Sequence, residues 1–336
     1  MANSHYFHAE AHALSGKLIL PFEQEIKKQA SVKLEGESEK LLLEGENEKL
    51  RAQKAQQNYL SQHAKNFRLE GIISYSAAHT QVSGHRSNKH EGAFVTLASS
   101  VVEDLNVLNV VSADRVVAQI STTHFPNQYA PQVTFLGTHF ENLRIAGHRV
   151  EPFLNLDLAG ENPGGKKLYV DKGTTLMNAV EDQYKRLKKW LDGLSAGERA
   201  EMRAVSAGGS LLKTYCGGAP DYGKIRSEAG AARDEDLKTG KGKCDGITCS
   251  LVENVEIKDI SAKNADGKSV QIPLPGKCFG HVIHVPEFGA IFLGELTVNH
   301  NSFHLTMIRL ELGCVAHGDV SLTSTNVNGG SKGGGG

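Results

Sequence analysis

The sequence predicts a mainly β protein, a β-sandwich-like domain with an α-helical insertion. Segments in which apolar and polar residues alternate recur from 67 to 158 and again from 247 to 322. Turn residues separate these segments at about ten-residue spacing, which is typical of all-β sandwiches and barrels. One long segment, 173–206, has helical periodicity instead. A chain of 336 residues, 39% of them apolar, is long enough to bury a sizeable core.

The N-terminal part begins with a predicted strand and continues into a charged segment. Lys17 to Leu20 is predicted to be a strand that ends at Pro21. Residues 22–66 are rich in Glu, Lys, Gln and Ala and contain two copies of a nine-residue repeat, which are too few for a solenoid. The composition of 47–63 favours either a marginal surface helix or a mobile charged insertion. We interpret 22–66 as a charged insertion whose side chains form a solvated face.

The strand patterns are clearest in two places. In the first, Val116, Ala118 and Ile120 share one face of a predicted strand. In the second, from Phe303 to Leu312, the apolar residues change parity after Met307. A bulge near Met307, or burial of both faces, would explain this change.

The helical insertion follows the first group of strands. An apolar stripe on one helix face predicts a helix over 174–193, formed by Leu176, Val180, Tyr184, Leu187 and Leu191. Thr174 or Thr175 can cap its start. A capping box formed by Ser195 and Glu198 predicts a second, short helix over 196–206. A glycine-rich loop over 217–246 completes the insertion at 173–246.

These segments predict a simple domain organisation. We expect a single large β domain over 1–327, interrupted by the insertions at 22–66 and 173–246. Residues 328–336 are mostly Gly and predict a flexible Gly-rich tail.

Charge and composition exclude some classes of function. Lys plus Arg total 37 and Asp plus Glu total 38, so the chain lacks the surplus of cations that a general nucleic-acid binder needs. No apolar run is long enough for a transmembrane segment, and no signal peptide is recognisable, so we expect a cytoplasmic protein. The five cysteines are odd in number and irregularly spaced, which predicts free thiols in a reducing compartment, or one or two bridges after export.

Histidines are the candidate metal ligands. The C-terminal group consists of His281, His284, His300 and His304. His281 and His284 point to opposite faces of a regular strand, and His300 and His304 lie about 13 Å apart along one. A metal site therefore requires histidines from different strands, and the alternative is that all four are surface or turn residues. No cofactor is expected apart from such a metal ion, because the phosphate-loop, serine-hydrolase and zinc-protease motifs are all missing.

Two stretches carry a resemblance to a known group. They are 111–118 together with 140–150, and 285–295, each of which combines strand residues with Asp, Asn or Gly at turn positions. The stretches resemble uncharacterised bacterial β-rich proteins of the choice-of-anchor type. This resemblance implies a surface or extracellular β-rich module and supplies no catalytic residues.

The expected function follows from the strands and from the missing motifs. We expect a non-enzymatic β-rich binding or structural module that forms a homo-oligomer by pairing of open strand edges. The alternative is a metal-dependent enzyme with a His-based site. In a third interpretation, the two insertions are docking surfaces for a partner protein. The sequence does not identify a ligand.

Overall fold

In the part of the chain that the structure describes, the fold consists of two large stacked β-sheets, a small two-stranded sheet and a helix. A computed structural model describes residues 4–20, 23–37, 59–193, 195, 247–263, 266–313 and 317–332. The strands in chain order are β1 (Ser4–Leu20), β2 (Gln24–Gln29), β3 (Val32–Glu37), β4 (Tyr59–Leu69), β5 (Ile73–Arg86), β6 (Phe94–Val107), β7 (Val111–His124), β8 (Gln132–Thr134), β9 (His139–Glu141), β10 (Arg144–Ile145), β11 (His148–Leu154), β12 (Ile247–Ser250), β13 (Val252–Lys258), β14 (Ile260–Lys263), β15 (Ser269–Ile272), β16 (Lys277–Phe279), β17 (Val282–Val285), β18 (Gly289–Asn299), β19 (Ser302–Gly313) and β20 (His317–Lys332). The helix α1 spans Thr175–Asp192.

Each large sheet contains nine strands among the described residues. The first sheet has the order β16-β17-β18-β19-β20-β1-β2, with β3 beside β1 and β12 beside β18. The second sheet has the order β13-β11-β10-β7-β6-β5-β4, with β8 and β9 beside β7. Strands β1, β19 and β20 of the first sheet pack on β5, β6 and β7 of the second. The predicted fold class, a mainly β sandwich-like domain with a helical insertion, is therefore confirmed. Strands β14 and β15 form a separate hairpin.

The core lies between the two large sheets. Along β1, the side chains of Phe7, Ala9 and Ala11 are buried, and the residues between them are more exposed. The same alternation runs along β5 and β6 of the second sheet. Because successive side chains of a strand point to opposite faces, one face of each sheet supplies the core.

A row of irregular residues crosses the middle of the first sheet. This first-sheet row consists of Ala13, Gly294, Met307 and Thr323. The strands β1, β18, β19 and β20 pair regularly on both sides of these four residues, but the residues themselves are left out of the pairing. Gly294 and Thr323 have positive φ angles of 63° and 49°. The change of parity predicted near Met307 occurs here. In β19, the buried apolar side chains have one parity before the row and the opposite parity after it.

An ion pair demonstrates the change of parity in β19. Glu295 lies opposite Thr306 in the pairing of β18 with β19. Arg309, three residues further along β19, hydrogen-bonds to the Glu295 carboxylate. Thr306 and Arg309 therefore share a face, although residues three apart in a regular strand point to opposite faces.

The second sheet has a similar row. This second-sheet row consists of Asn66, Ser76, Asp104 and Asp114. These residues are likewise left out of the otherwise regular pairing of β4, β5, β6 and β7. Asn66 and Asp104 have φ angles of 54° and 52°, a conformation that Asn and Asp tolerate better than other non-glycine residues. The Ser76 hydroxyl donates to the Asp104 carboxylate over 2.6 Å and holds two strands together at this level.

The helix predicted over 174–193 is confirmed. Thr174 caps it, because its hydroxyl accepts a hydrogen bond of 3.2 Å from the backbone N–H of Met177. Leu176, Val180 and Leu187 are buried, as the apolar stripe predicts. The short helix predicted over 196–206 lies outside the described residues. No helix in the described part of the chain is long and apolar enough to cross a membrane.

Part of the predicted charged insertion at 22–66 is wrong. Residues 24–29 and 32–37 form β2 and β3, which pair with β1, and 59–66 belong to β4 rather than to a surface helix. The buried side chains of Ile26, Val32 and Leu34 alternate with charged residues. Pairing with β1 thus outweighs the helical composition, and the many charges lie on the solvent face of a strand. Residues 38–58 lie outside the described part.

The predicted flexible tail at 328–336 is wrong for residues 328–332. They continue β20, and their backbone pairs with β1 from Ser4↔Lys332 to His8↔Asn328. Backbone pairing requires no side chains, so a glycine-rich segment can extend a sheet where a neighbouring strand offers its edge. Residues 333–336 lie outside the described part.

The first-sheet row predicts an unusual sensitivity to a single methyl group. At Gly294, with φ of 63°, an added Cβ lies 3.1 Å from a methyl carbon of Val252. We expect Gly294→Ala to lower the free energy of unfolding by about 1–3 kcal/mol, measured by urea denaturation. Gly36→Ala in β3 is the matched control, since nothing lies within 4 Å of its added Cβ. Equal stabilities of the two variants would contradict the role given to the row.

Candidate functional site

The four C-terminal histidines occupy separate positions. His281 lies in the turn between β16 and β17, His284 on β17, His300 in the turn between β18 and β19, and His304 on β19. The His281 carbonyl accepts a hydrogen bond from Leu293, whose partner on β19 is Ile308, four residues from His304. Four residues along a strand correspond to about 13 Å. The structure therefore does not bring the four histidines together.

No group of three or more His, Cys, Asp or Glu residues in the described ranges is arranged to hold a metal ion. The buried Cys249 thiol donates a hydrogen bond of 3.6 Å to the Leu296 carbonyl. Burial raises the pKa of the Cys278 thiol to about 11. This thiol is therefore protonated near neutral pH and is a poor nucleophile and metal ligand. The metal site at His281, His284, His300 and His304 stays a prediction.

His304 belongs to a polar network that the sequence did not indicate. Its Nε2 lies 3.0 Å from the Ser324 hydroxyl and 3.2 Å from the Thr306 hydroxyl. His12, which pairs with Ser324 across β1 and β20, has its own Nε2 3.0 Å from Ser15. The network draws on strands from both ends of the chain, and only the paired sheet brings them together.

The chemistry of this network is limited by burial. Burial lowers the pKa of His304, and it lowers that of His12 to about 4. A hydroxyl beside a neutral imidazole is the contact that activates a serine nucleophile. Ser324, however, is only 1% exposed. A substrate does not reach its hydroxyl in this arrangement, and the network serves to satisfy buried polar groups.

A second pair of buried histidines lies at one end of the core. The His5 ring stacks on Phe94 with 4.8 Å between centroids, and it lies 4.6 Å from the ring of His124. Burial lowers the pKa of His5 to about 4 and that of His124 to about 3. Both imidazoles are therefore neutral near pH 7 and pack as aromatic core residues.

A charged cluster fixes β18 to β19. Arg309 donates to both carboxylate oxygens of Glu295, and it also donates to Glu311. Its guanidinium carbon lies 3.7 Å from the centroid of the Phe292 ring. Glu295 is only 6% exposed, so removal of Arg309 would leave a buried charge without its main partner.

The outermost strand of the second sheet, β4, offers an open edge. β4 pairs with β5 from Tyr59↔Ser83 to Leu69↔Ile73. On its other side, the described residues supply no paired strand. Tyr59 is 48% exposed and Leu60 is 37% exposed. The unpaired N–H and C=O groups of such an edge can pair with another strand.

The regular part of β4 extends from Tyr59 to Lys65, because the positive φ of Asn66 interrupts the strand. This part has no Pro and no Gly, the residues that most often disrupt an edge strand. It also has no acidic residue, whereas His63 and Lys65 are basic residues. The sequence prediction missed this edge, because it assigned residues 59–66 to the charged insertion.

Comparison with known proteins gives one family. The family described as "Domain of unknown function (DUF8256)" matches residues 54–299. No curated protein and no solved structure matches this chain. The matched range begins shortly before β4 and ends with β18, so it omits the central strands β1, β19 and β20 of the first sheet. The resemblance to choice-of-anchor proteins is not confirmed.

The buried histidines predict a loss of stability in acid. The pKa values of His5, His12 and His281 are lowered to about 4 and that of His124 to about 3, with burial as the largest cause. Below about pH 6.5 the unfolded chain binds protons that the folded chain does not, so stability falls as the pH decreases towards 4. Each histidine contributes up to about 1.4 kcal/mol per pH unit in this range.

Substitution of one histidine measures its contribution to the pH dependence of the unfolding free energy. We expect His124→Phe to reduce the slope of unfolding free energy against pH by about 1.4 kcal/mol per unit between about pH 6 and pH 4. Urea denaturation at several pH values measures this slope. His85→Phe, at an exposed position, is the control and should leave the slope unchanged. An unchanged slope in His124→Phe would show that His124 is not neutral and buried.

Proposed function

This chain belongs to the family of the domain of unknown function DUF8256, and we propose that it is a non-enzymatic β-rich structural module that self-associates through β4. The observation that carries the proposal is the exposed edge of β4, beside which the described residues place no further strand. Antiparallel pairing of β4 with β4 of a second copy would satisfy the edge groups of both copies with one two-fold interface.

The side chains of β4 favour one register. If the two-fold axis passes through Gln62, Leu60 lies opposite Ala64 of the second copy, and Tyr59 lies opposite Lys65. The first pair is apolar, and the second combines an aromatic ring with a cation. A register centred on Ala64 would instead place His63 opposite Lys65, which brings two basic groups together. We therefore infer the register centred on Gln62.

The proposal predicts the solution mass of the full chain. Light scattering should give about twice the 36.2 kDa of one chain. We expect Ser61→Lys to weaken the association at least about tenfold, since the new lysine would lie opposite His63 and diagonal to Lys65 of the second copy. Ser83→Lys places the same charge on the same sheet face, one strand away from the edge, and should leave the mass unchanged.

Two results would contradict this assignment. A monomer of the unchanged protein at the highest soluble concentration would reject self-association. A dimer that survives Ser61→Lys would show that another surface forms the interface.

Cysteine cross-linking tests the register. Gln62→Cys places two thiols directly opposite each other on the two-fold axis, and mild oxidation should give a covalent dimer. Gln81→Cys is the control, because Gln81 lies on β5, away from the edge. Efficient cross-linking of the Gln81→Cys variant, or none of the Gln62→Cys variant, would reject this register. Denaturing electrophoresis without reducing agent, beside the unchanged chain, measures both.

A further inference from the structure

A shallow cleft lies on the outer face of the second sheet. Its volume is about 250 Å³, and strands β4, β5, β6 and β7 all contribute to it. The residues that line it are His63, Ala64, Lys65, Ala77, Ala78, His79, Val101, Glu103 and Arg115. The register explains why they meet: Lys65, Ala77, Glu103 and Arg115 follow one another across the four strands, and His63, His79 and Val101 form the next level.

The cleft exists because its floor is made of short side chains. Ala77 lies between Lys65 and Glu103 in the cross-strand order, and its methyl group fills little of the space between their longer side chains. At the neighbouring level, the short side chain of Val101 lies beside the longer side chain of His79. Long polar side chains therefore surround a low apolar floor, which is the usual form of a site for a small ligand.

The charges around the floor are mainly positive. Lys65 and Arg115 are basic, and Glu103 is the one acidic residue among the described residues that line the cleft. The Arg115 Nε lies 3.8 Å from the nearer Glu103 oxygen, with both side chains nearly half exposed, so this ion pair is weak. Arg115 consequently keeps donors available for another anion.

Two histidines form one wall of the cleft. The rings of His63 and His79 stack with 4.2 Å between centroids and 22° between planes. Burial and the neighbouring His63 lower the pKa of His79, whereas Glu103 acts in the opposite direction. Beyond the cleft, Glu141 of β9 pairs with Arg115 in the register, and its carboxylate accepts a hydrogen bond from His139. An anion beside the stacked rings would favour protonation of His79, since it would offset the repulsion from the neighbouring His63.

We propose that this cleft binds a small tetrahedral oxyanion, a sulfate or phosphate group, between Lys65, Arg115 and the stacked rings of His63 and His79. Arg115 supplies a planar donor fork and Lys65 supplies a point charge. The imidazoles add ring N–H donors, and protonation of His79 would add a third positive charge. The same donors would bind the group whether it is free or part of a larger molecule.

This inference does not depend on self-association. All residues that line the cleft come from one copy of the chain. Binding to the cleft is therefore expected at protein concentrations where the chain is a monomer as well as where it is a dimer. Failure of the association experiments leaves the cleft proposal intact, and the reverse also holds.

Inorganic sulfate is a suitable probe, because its charge does not change between about pH 6 and pH 8. The full chain is titrated with sodium sulfate, and sodium chloride of equal ionic strength is the control for screening. We expect saturable shifts of the imidazole ring protons of His63 and His79 in NMR spectra. Binding should be at least about fivefold tighter at pH 6 than at pH 8, since protonation of His79 and binding of the anion favour each other.

Two substitutions are expected to change the affinity for sulfate in opposite directions. Arg115→Gln should weaken sulfate binding about tenfold, because it removes a charged donor. Glu103→Gln should strengthen binding, since it removes the carboxylate that the described residues contribute to the lining of the cleft. Arg144→Gln, at an exposed position of β10 outside the cleft, is the matched control and should have no effect.

Three outcomes would overturn the proposal. The first is a titration in which sulfate gives no saturable shift of the His79 ring protons beyond that caused by chloride. The second is weaker binding in Glu103→Gln, which would indicate a site for cations. The third is an equal effect of Arg144→Gln and Arg115→Gln, which would indicate general attraction to a basic surface instead of binding in the cleft.

Discussion

The packing of both sheets depends on two rows of backbone irregularity that cross their strands. In a regular strand, burial of every second residue keeps one parity from end to end. In the first sheet, Gly294, Met307 and Thr323 interrupt the pairing at one level, and the parity of buried residues changes at this level in β19 and β20. Because neighbouring strands change together, their hydrogen bonds resume in register. The backbone at this level is thus constrained by several strands at once, and a β-branched residue, Thr323, is held at a positive φ of 49°.

Local patterns predicted the elements that local forces determine. The stripe of Leu176, Val180 and Leu187 predicted α1 closely, because an amphipathic helix carries its complete signal within one segment. The change of parity at Met307 was also visible, since it alters a short local pattern. Strands β2 and β3 were not predicted, because charged residues dominate their composition and only pairing with β1 gives them their structure. The same reason applies to the end of β20, whose glycines have no side-chain pattern to read.

The candidate sites were less predictable than the fold, because each combines residues from separate strands. The sequence drew attention to histidines by their number, but it grouped His281, His284, His300 and His304 by their closeness in the chain. The sheet instead places His63 beside His79, and His304 near Ser324. These neighbours follow from strand register, which sequence patterns do not determine. Strand β4 contributes to both proposals: its backbone offers the edge, and its outward side chains form one wall of the cleft.

The first-sheet row also limits how the length of this chain can change during evolution. Loss of one residue from β19 alone would turn half of that strand over and expose its apolar side chains to water. The neighbouring strands could compensate only by losing a residue at the same level, and β1, β18 and β20 come from opposite ends of the chain. Insertions and deletions within these strands are therefore expected to be rare among relatives, and differences in length should concentrate in the turns that join the strands.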